Sequence, residues 1–309
     1  MIEQSEIHAA MDRIAGHVRR TPVIPLVAGD LMPDHGVTLK LEQLQHTASF
    51  KPRGAFNAML SEPVPESGVV AASGGNHGAA VAYAASVLGH RAEIFVPEII
   101  SPAKLSLLRS LGAEVTVTGR EFAEALAACE TRMAESGARL IHAYDQPAVL
   151  AGQGTVGLEF EEQAPDLDTV LVAVGGGGLV GGMACWYRDR VRVIAVEAEG
   201  TSALHDALAA TRPVDVAVSG LTADSLGARR IGDLGFAAAQ AFVDGALLVT
   251  DDQVRAAQKI LWQKLRLIAE PGGATALAAL LSGIYRPEKG ERVGVLVCGG
   301  NTDPARIAV

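Results

Sequence analysis

The sequence predicts an α/β fold, organised as two α/β domains with mainly parallel sheets, and three observations carry this. Short β-branched runs alternate with longer Ala- and Leu-rich stretches of helical period, the pattern of strands that cross over through helices into a parallel sheet. The length, 309 residues, corresponds to about two domains at roughly 150 residues each. Glycine clusters follow several of the strand-like runs, and open α/β sheets bind ligands beyond the carboxyl ends of their strands, so the clusters point to one convergent pocket.

The elements follow in chain order. The first sixteen residues mix charge with apolar residues at helical spacing and lack the basic-then-apolar design of a signal peptide. Strands are predicted over 38–41, 68–72, 92–96, 114–118, 169–174, 191–197, 245–249 and 292–298, with room for helices between most of them. Ser101 followed by Pro102 reads as an N-cap with proline at the first helical position, and Gly112 closes that helix. Thr250-Asp251-Asp252 opens an amphipathic helix running through Leu267. No repeat, low-complexity tract or long linker is present, so the two domains are expected to be interwoven.

Composition removes several function classes. Hydrophobic residues make up 49% and charged residues 20%, apolar enough to offset the entropy cost of folding, which excludes disorder as the main state. With 26 Lys+Arg against 35 Asp+Glu the formal net charge is -9, so no nucleic-acid or anionic-membrane partner is expected. The charge-free run 170–187 reaches the length of a membrane span, but four consecutive glycines near its centre make it a poor membrane helix. Cys129, Cys185 and Cys298 are odd in number and widely spaced, which fits neither a disulfide framework nor a zinc site and suits a reducing, cytoplasmic setting. No metal site is expected.

Two segments carry chemistry. Gly175, Gly176, Gly177, Gly178 and Leu179 follow a strand and open a helix-like stretch. That layout is either a phosphate cradle of unhindered backbone N–H groups or a tight, closely packed turn; the GK[ST] of a P-loop is absent. Lys51 lies between an extended segment and a helix in Ser49-Phe50-Lys51-Pro52-Arg53-Gly54-Ala55. Most lysines are solvated, but a desolvated one is neutral near physiological pH and forms an imine with an aldehyde cofactor.

The lysine segment resembles the motif of the serine/threonine dehydratase family of pyridoxal-phosphate enzymes, known as fold type II. Further blocks resemble that family's motifs in its order: Ser73-Gly74-Gly75-Asn76-His77-Gly78, Ala151-Gly152-Gln153-Gly154-Thr155, the run at 175–179, Glu270-Pro271-Gly272-Gly273-Ala274, and Cys298-Gly299-Gly300-Asn301. The similarity runs from about Arg20 to Asn301. It implies two three-layer α/β domains of the tryptophan-synthase-β-like kind, with a small domain at 50–145 inserted into a large one made of 1–49 and 146–309, and the cofactor between them. It also implies pyridoxal 5'-phosphate as cofactor, a small amino-acid substrate and a homodimer.

The resemblance implies residue roles as well. Lys51 would hold the cofactor and move the α-proton, Phe50 would pack beside the ring, and Asn76 would bond the cofactor's 3′ oxygen. The backbone of Ser73, Gly74, Gly75, Asn76 and His77 would receive the substrate carboxylate. Gly175, Gly176, Gly177, Gly178 and Leu179 would bind the phosphate, Glu270 would line the pocket near ring and leaving group, and Cys298 would contact the pyridine nitrogen. Each residue also has an ordinary structural reading: Asn76 as a turn residue, His77 as a satisfied core histidine, Glu270 as a helix N-terminal acid, Cys298 as a small hydrophobe. The implied reaction is loss of water from L-threonine, L-serine or a related 3-hydroxy amino acid, giving a 2-oxo acid and ammonia. A thiol beside the pyridine nitrogen is a weak neutral partner, which favours departure of the β-group as the α-proton leaves.

Departures from the family pattern refine the expectation. Racemases of the family carry a serine, the second acid/base, at the position of Gly74, so a serine or aspartate racemase is the alternative and ranks below a lyase. Some relatives bind a divalent cation through a glutamate, a carbonyl four residues on and an aspartate six residues on; here these are Glu197, Thr201 and Ala203, one oxygen ligand short. In the block His142-Ala143-Tyr144-Asp145, Ala143 stands where relatives commonly have proline, and the block is expected to shape substrate choice. Eight residues follow Asn301, so a C-terminal regulatory domain is not expected and a shorter catabolic enzyme is the better match.

Overall fold

The computed structural model describes residues 1–307. The helices are α1 (Gln4–Ile14), α2 (Pro52–Ser61), α3 (Asn76–Leu88), α4 (Pro102–Ser110), α5 (Phe122–Ser136), α6 (Pro147–Gln163), α7 (Gly178–Tyr187), α8 (Ala203–Ala210), α9 (Ala223–Leu226), α10 (Asp233–Phe242), α11 (Asp251–Leu265) and α12 (Pro271–Leu281). The strands are β1 (Val23–Leu26), β2 (Val37–Leu41), β3 (Val69–Ala72), β4 (Ala92–Val96), β5 (Glu114–Val117), β6 (Arg139–Leu140), β7 (Thr169–Ala173), β8 (Arg192–Ala198), β9 (Gly245–Val249) and β10 (Val293–Val297). They form a six-stranded sheet of order β1-β2-β10-β7-β8-β9 and a four-stranded sheet of order β5-β4-β3-β6. Every pairing is parallel except that of β1 with β2.

Local chemistry accounts for the elements. Strands β7 and β10 are buried at every position, as strands covered by helices on both faces must be, which is why they read as continuous apolar runs. The charge-free run 170–187 divides between β7 and α7, with the glycines forming the turn between them. The Ser101 hydroxyl accepts the Lys104 N–H at α4. At α11 Thr250 and Gln253 bond each other's backbone N–H in a capping box, worth on the order of 1 kcal/mol. That helix stops at Leu265, two residues before the expected end, because Arg266 turns left-handed (φ 56).

Two strands lie outside the sequence expectation. β1 contains Pro25, which lacks a donor and is confined to a sheet edge, so VIPL carries no strand signature. β6 is two residues long, too short for any periodicity.

Topology concentrates the glycine-rich turns at one end of the large sheet. β2, β10 and β7 are neighbours and parallel, so the segments leaving their carboxyl ends emerge side by side: the loop to Lys51, the Cys298-Gly299-Gly300 turn, and the 175–178 run. A fully buried charged cluster anchors this region. Arg53, two residues past Lys51, donates to Glu42 (2.7 and 2.9 Å) and to Glu159 (3.0 Å), and Lys40 donates to Glu159 (2.5 Å) and to the Thr21 carbonyl (2.8 Å). The cluster ties α2 to β2, to the turn after it and to α6.

Candidate active site

Lys51 is the residue before α2, whose first position is Pro52. The turn leading to it bends sharply, with Thr47 and Ala48 both left-handed (φ 56 and 55). For non-glycine residues this costs of order 1–3 kcal/mol each and persists only where neighbours enforce it. Here the segment after β10 does so: Gly300 N–H donates to the Ala48 carbonyl (2.8 Å), Phe50 N–H to the Cys298 carbonyl (3.1 Å), and the Asn301 amide to the Thr47 carbonyl (2.7 Å).

The Lys51 Nζ donates to the Ala143 carbonyl at 2.8 Å and lies 5.2 Å from the Phe50 ring centre. Burial lowers its pKa from the usual lysine value to about 8, opposed in part by Cys298 and Glu270. Glu270 precedes α12 but makes no capping bond with its side chain; its carboxylate accepts the Asn76 amide at 2.5 Å. Burial pushes it up to about 7, against the Asn76 hydrogen bond. Glu270 thus stands at the N-terminus of α12, as in its ordinary reading, but its carboxylate is turned to Asn76 and not to the helix N–H groups. The buried Cys298 thiol is raised well above its usual range by desolvation and contacts the Gly272 carbonyl at 3.5 Å, so it faces the pocket neutral.

The pocket wall brings together Phe50, Lys51, Asn76, Gly175, Gly176, Gly177, Gly178, Leu179, Glu270 and Cys298. Gly177 precedes α7 with φ +91, a conformation that favours glycine. A Cβ on Gly176 would lie 2.1 Å from the Tyr144 ring. Among the described residues, the N–H groups of Gly175, Gly176 and Gly177 donate to no backbone carbonyl, so a row of free donors meets the positive end of α7.

Ser73, Gly74, Gly75 and His77 are not on that wall; the first three form the turn from β3 into α3, and His77 follows Asn76 in the first turn of α3. The His77 ring is buried, its Nε2 is 2.9 Å from the Ile141 carbonyl, and desolvation lowers its pKa to about 3. The ring is thus neutral and donates to that carbonyl, the satisfied-core reading; only its backbone is available to a ligand.

Sequence reasoning missed Ser225 as a wall residue; it singled out the 142–145 block for substrate choice but not the Ala143 carbonyl as a partner of Lys51 or the Tyr144 ring as a cover of the glycine run. The Ser225 hydroxyl accepts the Gly272 N–H at 3.0 Å. Tyr144 packs its ring on the glycine run and crosses His142 edge-on at 4.8 Å.

The donor set suits pyridoxal phosphate: an amine held partly neutral, an anion cradle at a helix N-terminus, an amide donor and a neutral thiol on one wall. It does not suit the relatives' divalent cation. The Glu197 oxygens accept the N–H groups of Leu204 (2.8 Å) and His205 (2.7 Å), and residue 203 is alanine.

The family model described as "Pyridoxal-phosphate dependent enzyme" matches residues 14–299. The chain belongs to this family. It is 38% identical over 314 residues to an L-threonine ammonia-lyase of Geobacter sulfurreducens, covering 100% of this chain and 78% of that protein. It is 37% identical to a phenylserine dehydratase of Ralstonia pickettii, covering 98% of this chain and 94% of that one. The solved structure of maize serine racemase superposes with a TM-score of 0.92 at 31% identity, over 99% of this chain and 95% of that one. This pyridoxal-phosphate-dependent chain therefore has the fold type II architecture anticipated from its motifs, and none of its helices among the described residues is long and apolar enough to cross a membrane.

Proposed function

We propose that the chain is an ammonia-lyase that converts L-threonine, L-serine or a related 3-hydroxy amino acid to the 2-oxo acid and ammonia by α,β-elimination. The observation that carries the reading is one-sided proton chemistry. Lys51 presents an amine to the pocket, whereas residue 74 is a glycine, and a Cβ there would lie 3.0 Å from the Ile100 side chain. The names of the ammonia-lyase and dehydratase relatives support it.

In this reading the bound cofactor supplies an electron sink for the α-carbon. Lys51, held by the Ala143 carbonyl, would remove the α-proton as the β-hydroxyl departs. Asn76 donates to the 3′ oxygen, and Phe50 packs along the ring. Gly175, Gly176, Gly177, Gly178 and Leu179 offer N–H groups to the phosphate. Cys298 gives the pyridine nitrogen a neutral partner, and Glu270 stands beside the leaving group. The backbone of residues 73–77 receives the substrate carboxylate. In the same reading the six-stranded sheet belongs to a large domain, 1–49 plus 146–309, whose last two residues lie outside the described ones, and the four-stranded sheet to a small one, 50–145. Three buried free cysteines fit a cytoplasmic protein, and a homodimer fits the apolar surface that such folds leave.

The serine racemase structure favours a second reading, racemisation, which requires proton delivery from both faces of the substrate. The test is to follow 2-oxo acid and residual enantiomer together from L-serine. We expect oxo acid to outrun D-serine by at least about tenfold; D-serine in excess of oxo acid would replace the lyase by the racemase.

The lowered Lys51 pKa gives a pH prediction. Only the neutral amine attacks an aldehyde, so the rate at which the cofactor-free protein captures pyridoxal phosphate should rise about tenfold per pH unit below about 8 and level off above it. A rise continuing to pH 10, read from the growth of visible absorbance, would show a lysine with an ordinary pKa.

A further inference from the structure

The Asn301 amide has two hydrogens, and both are used. One goes to the Thr47 carbonyl (2.7 Å), the other to the Asn76 side-chain oxygen (2.6 Å). A backbone carbonyl only accepts, so the Asn301 amide cannot turn its oxygen toward Thr47 without setting two acceptors against each other. With Asn301 fixed, the Asn76 atom facing it is the oxygen, and the Asn76 NH2 faces Glu270 at 2.5 Å. The Thr47 carbonyl belongs to the left-handed turn, which the segment after β10 also holds through Gly300. Polarity thus passes from one backbone carbonyl through two amides to the pocket.

We propose that Asn301 is a positioning residue: anchored by the Thr47 carbonyl, it sets the orientation of the Asn76 amide, so that the NH2 faces Glu270 and the pocket. Asn301 is not on the pocket wall and acts only through Asn76. Without it the pair Asn76 and Glu270 has two satisfactory arrangements. Asn76 donates to an ionised Glu270, or a protonated Glu270 donates to the Asn76 oxygen, and with Glu270 raised to about 7 both lie within reach at neutral pH. In the second arrangement the amide donor is turned away from Glu270. The consequence for the cofactor's 3′ oxygen rests on the function proposed above; the orientation of Asn76 does not.

The experiment is a double-mutant cycle in Asn301→Leu, Asn76→Leu and the pair, with Asn301→Ala as a second variant should the leucine form fail to fold. In the cofactor-free protein the Glu270 carboxyl is followed by carbon-13 NMR, identified by its loss in Glu270→Gln, and titrated. The charged or titratable groups around it, Lys51, Cys298, Asp224 and Lys104, are the same in every variant. We expect Asn301→Leu to raise the Glu270 midpoint by at least about half a pH unit, some threefold in proton affinity. In the Asn76→Leu background the same change should move it by less than a third of that.

In the loaded protein, Asn301→Leu should also alter the ratio of the cofactor's absorption bands, and should not do so once Asn76 is leucine. An unchanged midpoint in Asn301→Leu, or an equal shift in both backgrounds, overturns the proposal. Wild-type protein that develops no visible band with pyridoxal phosphate would remove the functional reading, while the titration cycle would still decide the orientation of Asn76.

Discussion

Replacing Lys51 with alanine should lower 2-oxo acid formation by at least about 10⁴-fold and abolish the visible absorbance that the wild-type protein gains with pyridoxal phosphate. The magnitude follows from what is lost. In the proposed function one side chain supplies both the nucleophile that captures the cofactor and the base that moves the α-proton, and proton transfer alone contributes typically 10²–10⁴. No other lysine lines the pocket among the described residues. The variant should retain the fold, since the Lys51 side chain makes a single hydrogen bond, to Ala143. Turnover within about tenfold of wild type, in protein that still unfolds at the wild-type temperature, would show that Lys51 is not the catalytic base.

The second large effect concerns stability. Arg53→Met should destabilise the protein by about 3–5 kcal/mol, because it leaves Glu42 and Glu159 buried with Lys40 as their only cation. Arg53 is the stronger anchor of the two cations. Its pKa is raised because Glu42 and Glu159 outweigh its own burial, whereas burial outweighs both carboxylates at Lys40 and lowers that lysine. Glu159 is fully buried in the fold, yet its pKa is lowered, because Arg53 and Lys40 outweigh burial. Its folded value therefore lies below its unfolded one, so its contribution is complete above the usual carboxylate range and is lost as pH falls through the depressed value. Urea unfolding followed at pH 7 and again near pH 4 checks both statements. A loss below about 1 kcal/mol in Arg53→Met would mean that the cluster is dispensable. Because Arg53 lies in the first turn of α2, directly after Lys51, the same variant should also loosen cofactor binding.

How much of this was legible in the sequence depends on how local each signal is. The core strands were readable because strands covered on both faces must be continuously apolar, as in 169–174 and 292–298. Caps at Ser101 and Thr250 were readable because the donor and acceptor lie within one turn. The glycine run, Lys51, Asn76, Glu270 and Cys298 were readable as motifs, and the fold places all of them on one wall. What escaped is what local sequence does not encode. Ala143 contributes a backbone carbonyl, to which its side chain gives no clue. Tyr144 is an aromatic residue in a loop, and only the chain's return from α6 to the glycine run explains its place. Ser225 sits on a four-residue helix with no periodicity. Asn301 was legible as part of a motif, but its bonds to Thr47 and Asn76 span 254 and 225 residues of chain.

The most direct test of the account is the release of 2-oxo acid from L-threonine, L-serine, phenylserine and D-serine by the wild-type protein with added pyridoxal phosphate, run beside Lys51→Ala. We expect lysine-dependent oxo acid from at least one L-3-hydroxy amino acid and much less from D-serine. Yellow protein that releases no oxo acid from any of them, or release that persists without the lysine, would contradict it.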